Sequence, residues 1–133
     1  MIALDASALL ALLKREPGHE FVAAHLGRAV MSVVNHAEVL SRFARDGHDV
    51  AAIAKVIAGV AVELVPMTAR DAELVAMLIP KTRAFGLSLG DRVCVALALS
   101  RSIPVLTADQ GWRGLDLPVE IRFLPDRARG RNA

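Results

Sequence analysis

Four of the 14 acidic residues in this sequence differ from the rest, because each falls where the chain is expected to leave a strand or to enter a helix. They are Asp5, Glu38, Asp91 and Asp109. If the strands form one parallel sheet, all four carboxylates lie on the side of the sheet where ligands bind in open α/β proteins. Carboxylates gathered there would repel one another and raise each other's pKa values, and a divalent cation would remove that conflict.

The residue types around these carboxylates favour a hard metal ion. The chain has one cysteine, Cys94, and no histidine pair at ligand spacing, so oxygen ligands for Mg²⁺ or Mn²⁺ are expected rather than a Zn²⁺ site. Cys94 lies in an apolar stretch and is expected to be a small buried residue. Mg²⁺ usually keeps several waters and completes its shell with substrate phosphate. The constellation therefore predicts metal-dependent phosphoryl chemistry.

Two of the carboxylates have structural interpretations near the amino terminus. Asp5 ends the first apolar run and could cap the helix that follows, although Ser7 is available for that role. Glu38 could form an exposed ion pair with Arg42, four residues further along the same helix. Both alternatives stay open at the level of sequence.

The other two carboxylates also have structural interpretations. Asp91 stands three residues after Ser88, which is the spacing of a capping box. Its helical neighbours Val95 and Ala98 are apolar or small, however, and an aspartate on that face of a buried helix needs a partner or a cation. Asp109 follows a buried apolar run and could be a turn or cap residue.

Strands alternate with helices along the chain. Short apolar runs predict strands at residues 2–4, 29–32, 60–65, 103–106 and 119–124. Helical periodicity predicts helices at residues 6–14, 21–26, 33–47, 50–57, 68–83 and 89–101. The helix from Thr68 is expected to bury a face formed by Ala72, Val75, Ala76 and Ile79, and Pro80 is expected to kink or end it. The alternation predicts a three-layer α/β/α sandwich around a mostly parallel sheet.

Composition limits the class of protein. Hydrophobic residues make up 54% of the chain, which argues against disorder, and the length suits one domain at residues 1–125 followed by a short basic tail at 126–133. The net charge of +2 permits a polyanionic partner without requiring one. No run approaches the roughly 20 apolar residues of a membrane span, and no basic segment precedes the first apolar run. The expected compartment is the cytoplasm, with no membrane partner.

Four blocks of sequence resemble the PIN-domain ribonucleases, and among them the VapC toxins of bacterial type II toxin–antitoxin pairs. The blocks are residues 4–10 (LDASALL), 32–40 (SVVNHAEVL), 87–91 (LSLGD) and 104–109 (PVLTAD). Each block alone is weak, but their order, spacing and coverage of nearly the whole chain make the resemblance specific.

The resemblance implies an acidic cluster of Asp5, Glu38, Asp91 and Asp109 that holds Mg²⁺ or Mn²⁺. Asp5, Asp91 and Asp109 would bind the metal, Glu38 would position or deprotonate the attacking water, and Ser7 and Thr107 match polar positions that hold a water or a phosphate oxygen. It also implies an RNA substrate, a cognate antitoxin and a homodimer. Some family members carry a further acidic residue after the fourth; here Asp116 is the nearest acid, so at least one metal ion is expected.

Three other classes of protein compete with this interpretation. A receiver domain has similar length and a magnesium-binding acidic pocket, but it needs paired acids after the first strand, where this chain has Leu4 and Asp5. A haloacid-dehalogenase-type phosphatase needs a second aspartate where this chain has Ser7. A catalytically silent PIN-like binding module would bind no metal and would not depend on the four acids.

Overall fold

The computed structural model describes residues 1–125, and the predicted basic tail lies outside the described residues. Five parallel strands form one sheet: β1 (Ile2–Leu4), β2 (Ala29–Ser32), β3 (Val62–Val65), β4 (Val105–Thr107) and β5 (Ile121–Phe123). Their spatial order is β3-β2-β1-β4-β5, and every neighbouring pair is parallel. The predicted strands are all present, and β5 lies at an edge as expected.

Helices connect the strands and cover both faces of the sheet. They are α1 (Ala6–Leu13), α2 (His19–Ala23), α3 (Val33–Arg45), α4 (Val50–Ala58), α5 (Ala69–Met77), α6 (Ile79–Thr82) and α7 (Leu89–Arg101). Two short 3₁₀ turns follow α6 and β4, at Arg83–Phe85 and Gln110–Trp112.

Alternating strand residues feed two separate hydrophobic clusters, as the two-residue period of a strand requires. On β1, Ile2 and Leu4 pack with buried residues of α1 to α4, whereas Ala3 packs with buried residues of α5 and α7. Helix α7 is apolar almost all round, and its residues from Val93 to Ala98 are all buried. The predicted three-layer α/β/α sandwich is confirmed.

The strand order creates a switch point at the central strand. The chain builds β2 and β3 on one side of β1 and then β4 and β5 on the other. The carboxyl ends of β1 and β4 therefore flank a crevice of the kind in which α/β proteins bind ligands. Receiver domains of the CheY type have the order 2-1-3-4-5, so the observed order excludes that alternative.

The helix predicted from Thr68 to about Arg83 is divided next to Pro80, where a kink or an end was expected. Helix α5 ends at Met77 and α6 begins at Ile79, because Pro80 has no N–H to continue the helical hydrogen bonds. The predicted buried face is also wrong at Ala72 and Ala76, which are exposed. Val75 is buried as predicted, and Leu78, which was not part of the predicted face, is buried as well. Both pack in the cluster that contains the buried residues of α7, so the contact with α7 determines which side of α5 is buried.

Among the described residues, no helix combines the length and the apolar character needed to cross a membrane.

Two glycines with the same φ allow a test of whether the segment at Leu124 and Pro125 contributes to stability by packing against Gly18. Gly18 and Gly27 both have φ +90°, where any Cβ is strained. A Cβ on Gly27 would meet nothing within 4 Å, whereas one on Gly18 would lie 2.8 Å from Cδ of Pro125 and 3.1 Å from Cβ of Leu124.

We expect Gly27→Ala to lower the free energy of unfolding by about 1 kcal/mol, which is the cost of the left-handed conformation alone. Gly18→Ala should cost more, because the added methyl group also displaces the segment at Leu124 and Pro125. Urea denaturation of both variants checks this. Equal losses would show that the packing of this segment against Gly18 contributes nothing to stability.

Candidate active site

The carboxylate of Asp5 lies buried at the switch point. Its Oδ1 accepts hydrogen bonds from the backbone N–H of Ala8 at 2.9 Å and from the Ser7 hydroxyl at 2.7 Å. Its Oδ2 accepts a 2.5 Å hydrogen bond from the Thr107 hydroxyl. Asp5 is therefore the residue that caps α1, and the expectation that Ser7 would take this role is wrong. The extended backbone of Asp5 directs its side chain onto the first turn of the helix, as in other N-caps.

Ser7 and Thr107 join the ends of β1 and β4. The Ser7 hydroxyl accepts a hydrogen bond from the N–H of Ala108 at 2.9 Å and lies 3.2 Å from the Thr107 hydroxyl. Thr107 is fully buried and its hydroxyl also accepts from the N–H of Asp109 at 3.0 Å. The two predicted polar residues thus contact Asp5 directly and fix its position.

Burial dominates the charge state of Asp5. Desolvation raises the pKa of Asp5 from 3.8 to about 6, and the hydrogen bonds from Thr107, Ser7 and Ala8 oppose that rise. The negative charge of Asp91 raises it further. Asp91 therefore lies within electrostatic reach of the buried carboxylate.

Glu38 is held by a neighbour that sequence reasoning did not assign to the site. Asn35 is 1% exposed, and its Nδ2 donates to Glu38 Oε1 at 2.8 Å and to the Gly90 carbonyl oxygen at 2.9 Å. Within residues 1–125, Glu38 forms no ion pair with Arg42, so that alternative is wrong. The available sequence signal was the spacing of Asn35 and Glu38, since residues three apart share one face of a helix.

Asp91 caps α7 and also approaches the other acids. Its Oδ2 accepts from the N–H of Ser88 at 2.9 Å, and its own N–H donates to the Ser88 hydroxyl at 3.2 Å. This is the capping box that the spacing predicted. The structural interpretation of Asp91 is correct, and it does not exclude a second role.

The electrostatics of Cys94 show which carboxylates are gathered together. Cys94 is buried on α7, as predicted, and burial raises the pKa of its thiol well above the ordinary value. The charges of Asp5, Asp91 and Glu38 raise this pKa further, in that order. Three of the four predicted acidic residues therefore lie within electrostatic range of one buried thiol near the start of α7.

Asp109 is placed differently. Its side chain is exposed and its Oδ1 accepts from the N–H of Gly111 at 2.9 Å, which caps the 3₁₀ turn. It is not among the charges that raise the pKa of Asp5 or of Cys94. The structure thus leaves Asp109 at the rim of the cluster, in the turn role that was its structural interpretation.

The cluster fits a divalent cation by charge and by donor type. In the described part of the chain, no Lys, Arg or His forms an ion pair with Asp5, Glu38 or Asp91. Gathered carboxylates without a basic partner are stabilised by a cation, and carboxylate oxygens are the ligands that Mg²⁺ and Mn²⁺ prefer. As positioned in residues 1–125, however, no three His, Cys, Asp or Glu side chains converge closely enough to surround one metal ion.

The fold of this chain is similar to that of several solved toxin–antitoxin proteins. VapBC2 from Rickettsia felis, bound to a promoter DNA fragment, matches with a TM-score of 0.72 and 13% identity over 94% of this chain and 100% of that one. FitAcB from Neisseria gonorrhoeae matches with a TM-score of 0.69 and 20% identity over 92% and 96%. VapC20 from Mycobacterium tuberculosis, described as a sarcin-ricin loop cleaving toxin, matches with a TM-score of 0.68 and 19% identity over 90% and 99%.

At these identities the structural likeness concerns the fold. None of the curated protein sequences matches the chain significantly. The sequence profile of the PIN domain matches residues 2–117, which include Asp5, Glu38, Asp91 and Asp109. The resemblance found in the four sequence blocks is therefore confirmed at the level of the family, and this chain belongs to the PIN domain family.

Proposed function

We propose that this protein is a metal-dependent endoribonuclease that acts in the cytoplasm as the toxin of a toxin–antitoxin pair. The observation that carries the proposal is the gathering of Asp5, Glu38 and Asp91 at the switch point of the sheet, with no basic side chain of the described residues paired to them. Membership of the PIN domain family supports a nuclease. The similar fold of VapC20, a toxin described as cleaving the sarcin-ricin loop, supports RNA as the substrate.

Asp5, Asp91 and Asp109 are the residues that would hold Mg²⁺, with Mn²⁺ as the alternative. A cation bound there would lower the pKa of a water and polarise the scissile phosphate. Asp5 is suited to a fixed ligand, because three donors from Ala8, Ser7 and Thr107 immobilise it. Asp109 lies at the rim, so its contribution should be smaller than that of Asp5.

The remaining polar residues of the site act on the attacking water and on the substrate. Glu38 is oriented by Asn35 and serves to position or deprotonate the water. Ser7 and Thr107 keep the ends of β1 and β4 together and offer hydroxyls near the scissile phosphate. In-line attack by water leaves a 5′-phosphate and a 3′-hydroxyl on the cleaved RNA.

The proposed protein partner is a cognate antitoxin. Solved proteins of similar fold are described as toxin–antitoxin complexes, including one from Klebsiella pneumoniae. A homodimer is proposed as well, from the resemblance of the sequence to VapC toxins.

A catalytically silent PIN domain that only binds a partner is the second candidate. It is favoured by the hydrogen bonds of Asp91 and Asp109, which cap local turns, and by the lack of three converging ligands within residues 1–125. The assay below separates the two candidates.

Purified protein free of antitoxin can be tested for cleavage of total RNA with Mg²⁺, with Mn²⁺ and with EDTA. We expect discrete, metal-dependent cuts with 5′-phosphate ends. Asp5→Asn should lower the rate by more than about 100-fold, because several kcal/mol of transition-state stabilisation depend on the metal. Asp109→Asn should have a smaller effect, and Glu73→Gln, an exposed acid on α5, should have none.

The outcomes of this assay are distinct. Cleavage that survives EDTA and Asp5→Asn would contradict the carboxylate site, and a 2′,3′-cyclic phosphate product would contradict attack by water. The absence of cleavage by a folded wild-type protein would favour the silent binding module.

In EDTA, where no cation offsets the charge of Asp5, the stability of the protein should depend on pH. The pKa of about 6 in the folded state is higher than the ordinary value of 3.8, so a proton on Asp5 stabilises the fold. This contribution is complete below about pH 4 and is lost as the pH rises through about 6. The difference between the two pKa values corresponds to a loss of up to about 3 kcal/mol in the free energy of unfolding.

Asp5→Asn is the matched control, since asparagine has a similar shape and does not titrate. Urea denaturation between pH 4 and pH 8 should show wild type losing stability relative to the Asp5→Asn variant across this window. Mg²⁺ added at neutral pH should restore stability to wild type and not to the variant. Parallel pH profiles of the two proteins would show that Asp5 is ionised in the folded state without cost.

A further inference from the structure

Asn35 makes an unusual set of hydrogen bonds for a buried side chain. Both hydrogens of its amide nitrogen are used, one on Glu38 Oε1 and one on the Gly90 carbonyl oxygen. Its Oδ1 is buried and has no hydrogen-bond partner among the described residues. Because both contacted atoms are acceptors, the orientation of the amide is determined, with the nitrogen toward Glu38.

A buried amide oxygen without a partner costs free energy. An apolar residue of similar shape would avoid that cost if this position only filled space between α3 and α7. This position instead holds an asparagine whose donor group is directed at a carboxylate.

Gly90 completes the arrangement from the opposite side. It is buried in the first turn of α7, and a Cβ built on it would overlap the carboxylate carbon and both carboxylate oxygens of Glu38. No other glycine in the described chain would place a Cβ on the carboxylate of a predicted site residue so closely. The space occupied by the Glu38 carboxylate therefore exists only because residue 90 has no side chain.

We propose that Asn35 and Gly90 are positioning residues for Glu38: Asn35 fixes the carboxylate by donation, and Gly90 leaves the space that it occupies. This inference rests on the proposed function in assigning a catalytic use to Glu38, while the positioning itself is independent of activity. The proposed ligands Asp5 and Asp91 are not held by Asn35, so its effect should fall on the turnover rate rather than on substrate binding.

Selective ¹⁵N-asparagine labelling reports the positioning without any assay of activity. The only other asparagine in the sequence is Asn132, so two side-chain amide pairs are expected, and Asn35→Ala identifies which one belongs to Asn35. In wild type the two amide protons of Asn35 should exchange slowly with solvent. The hydrogen bond to the Glu38 carboxylate should also change the chemical shift of one of them. Glu38→Gln and Gly90→Ala should both move that resonance and speed its exchange.

Gly59→Ala is the matched control for Gly90→Ala, because a Cβ at Gly59 would meet only the Val56 carbonyl oxygen at 3.4 Å. It should leave the Asn35 resonance unchanged. If neither Glu38→Gln nor Gly90→Ala changes the chemical shift or the exchange rate of the Asn35 amide, the proposal is overturned. This conclusion does not depend on the activity of the variants.

Kinetics test the consequence for catalysis. We expect Asn35→Ala and Gly90→Ala each to lower kcat by about 10- to 100-fold with KM within about twofold, because a misplaced catalytic group slows the chemical step. Asn35→Leu, which has a similar shape and no donor, should behave like Asn35→Ala. In a Glu38→Gln background, Asn35→Ala should cause no further loss of kcat.

A purely structural role for Asn35 gives a different pattern. Its variants would then lower the folded fraction but not kcat per folded molecule, or their losses would multiply with that of Glu38→Gln, and either result would overturn the inference. If Asn35→Ala fails to fold, Gly90→Ala approaches the same carboxylate with Asn35 intact. If wild type cleaves no RNA, the proposed function fails, and the labelling experiment alone decides whether Asn35 positions Glu38.

Discussion

The structure depends on one buried carboxylate at the end of its central strand. Asp5 is 3% exposed, and a charge in that position is tolerated only with donors around it. Two of the donors are Ser7 and Thr107, which are a hundred positions apart in the sequence and in contact in the fold. That contact requires β4 to lie beside β1, on the opposite side from β2, which is where the strand order switches. The hydrogen bonds to Asp5 therefore depend on the order of the strands in the sheet.

Helix α7 packs on the face of the sheet opposite α1 and positions the other residues of the site. Its residues from Val93 to Ala98 are buried, so its position against the sheet is determined by packing. Its first turn carries the residues that face the candidate site, with Gly90 against the Glu38 carboxylate and the charge of Asp91 raising the pKa of Asp5. Burial, together with the charges of three carboxylates, raises the pKa of the Cys94 thiol one turn further on, so its ionisation is disfavoured. The rigid apolar part of the helix therefore holds the short polar part in place.

Most of the fold could be predicted from the sequence because the strands are short apolar runs bounded by turn residues, and because Ser32 and Ser88 mark helix starts clearly. Helix α5 could not be predicted as well, since its buried face depends on which larger side chains meet α7. The orientation of that face is a tertiary effect, which the periodicity of small and apolar residues along α5 does not determine.

The candidate site was predictable to a similar extent and for a similar reason. Strand ends on one side of a parallel sheet converge, so the positions of Asp5, Glu38 and Asp91 followed from the order of elements. The difference between Asp109 at the rim and Asp5 in the interior did not follow, because it depends on one local turn. The role of Asn35 could not be predicted, because it depends on a contact with Gly90, 55 residues away along the chain.

The capping roles of the acids and a metal-binding role are compatible for a stereochemical reason. An ionised carboxylate has two oxygens with about four acceptor positions in all, and a cap uses one of them. Asp91 caps through Oδ2 and Asp109 through Oδ1, and within residues 1–125 no hydrogen bond reaches the other oxygen of either group. The caps restrict where these side chains lie, because each is tied to the first turn of its own helix. A carboxylate that is held by one oxygen is already ordered, and its other oxygen is available to a cation. Capping at strand and helix ends therefore prepares acidic residues for metal binding and does not compete with it.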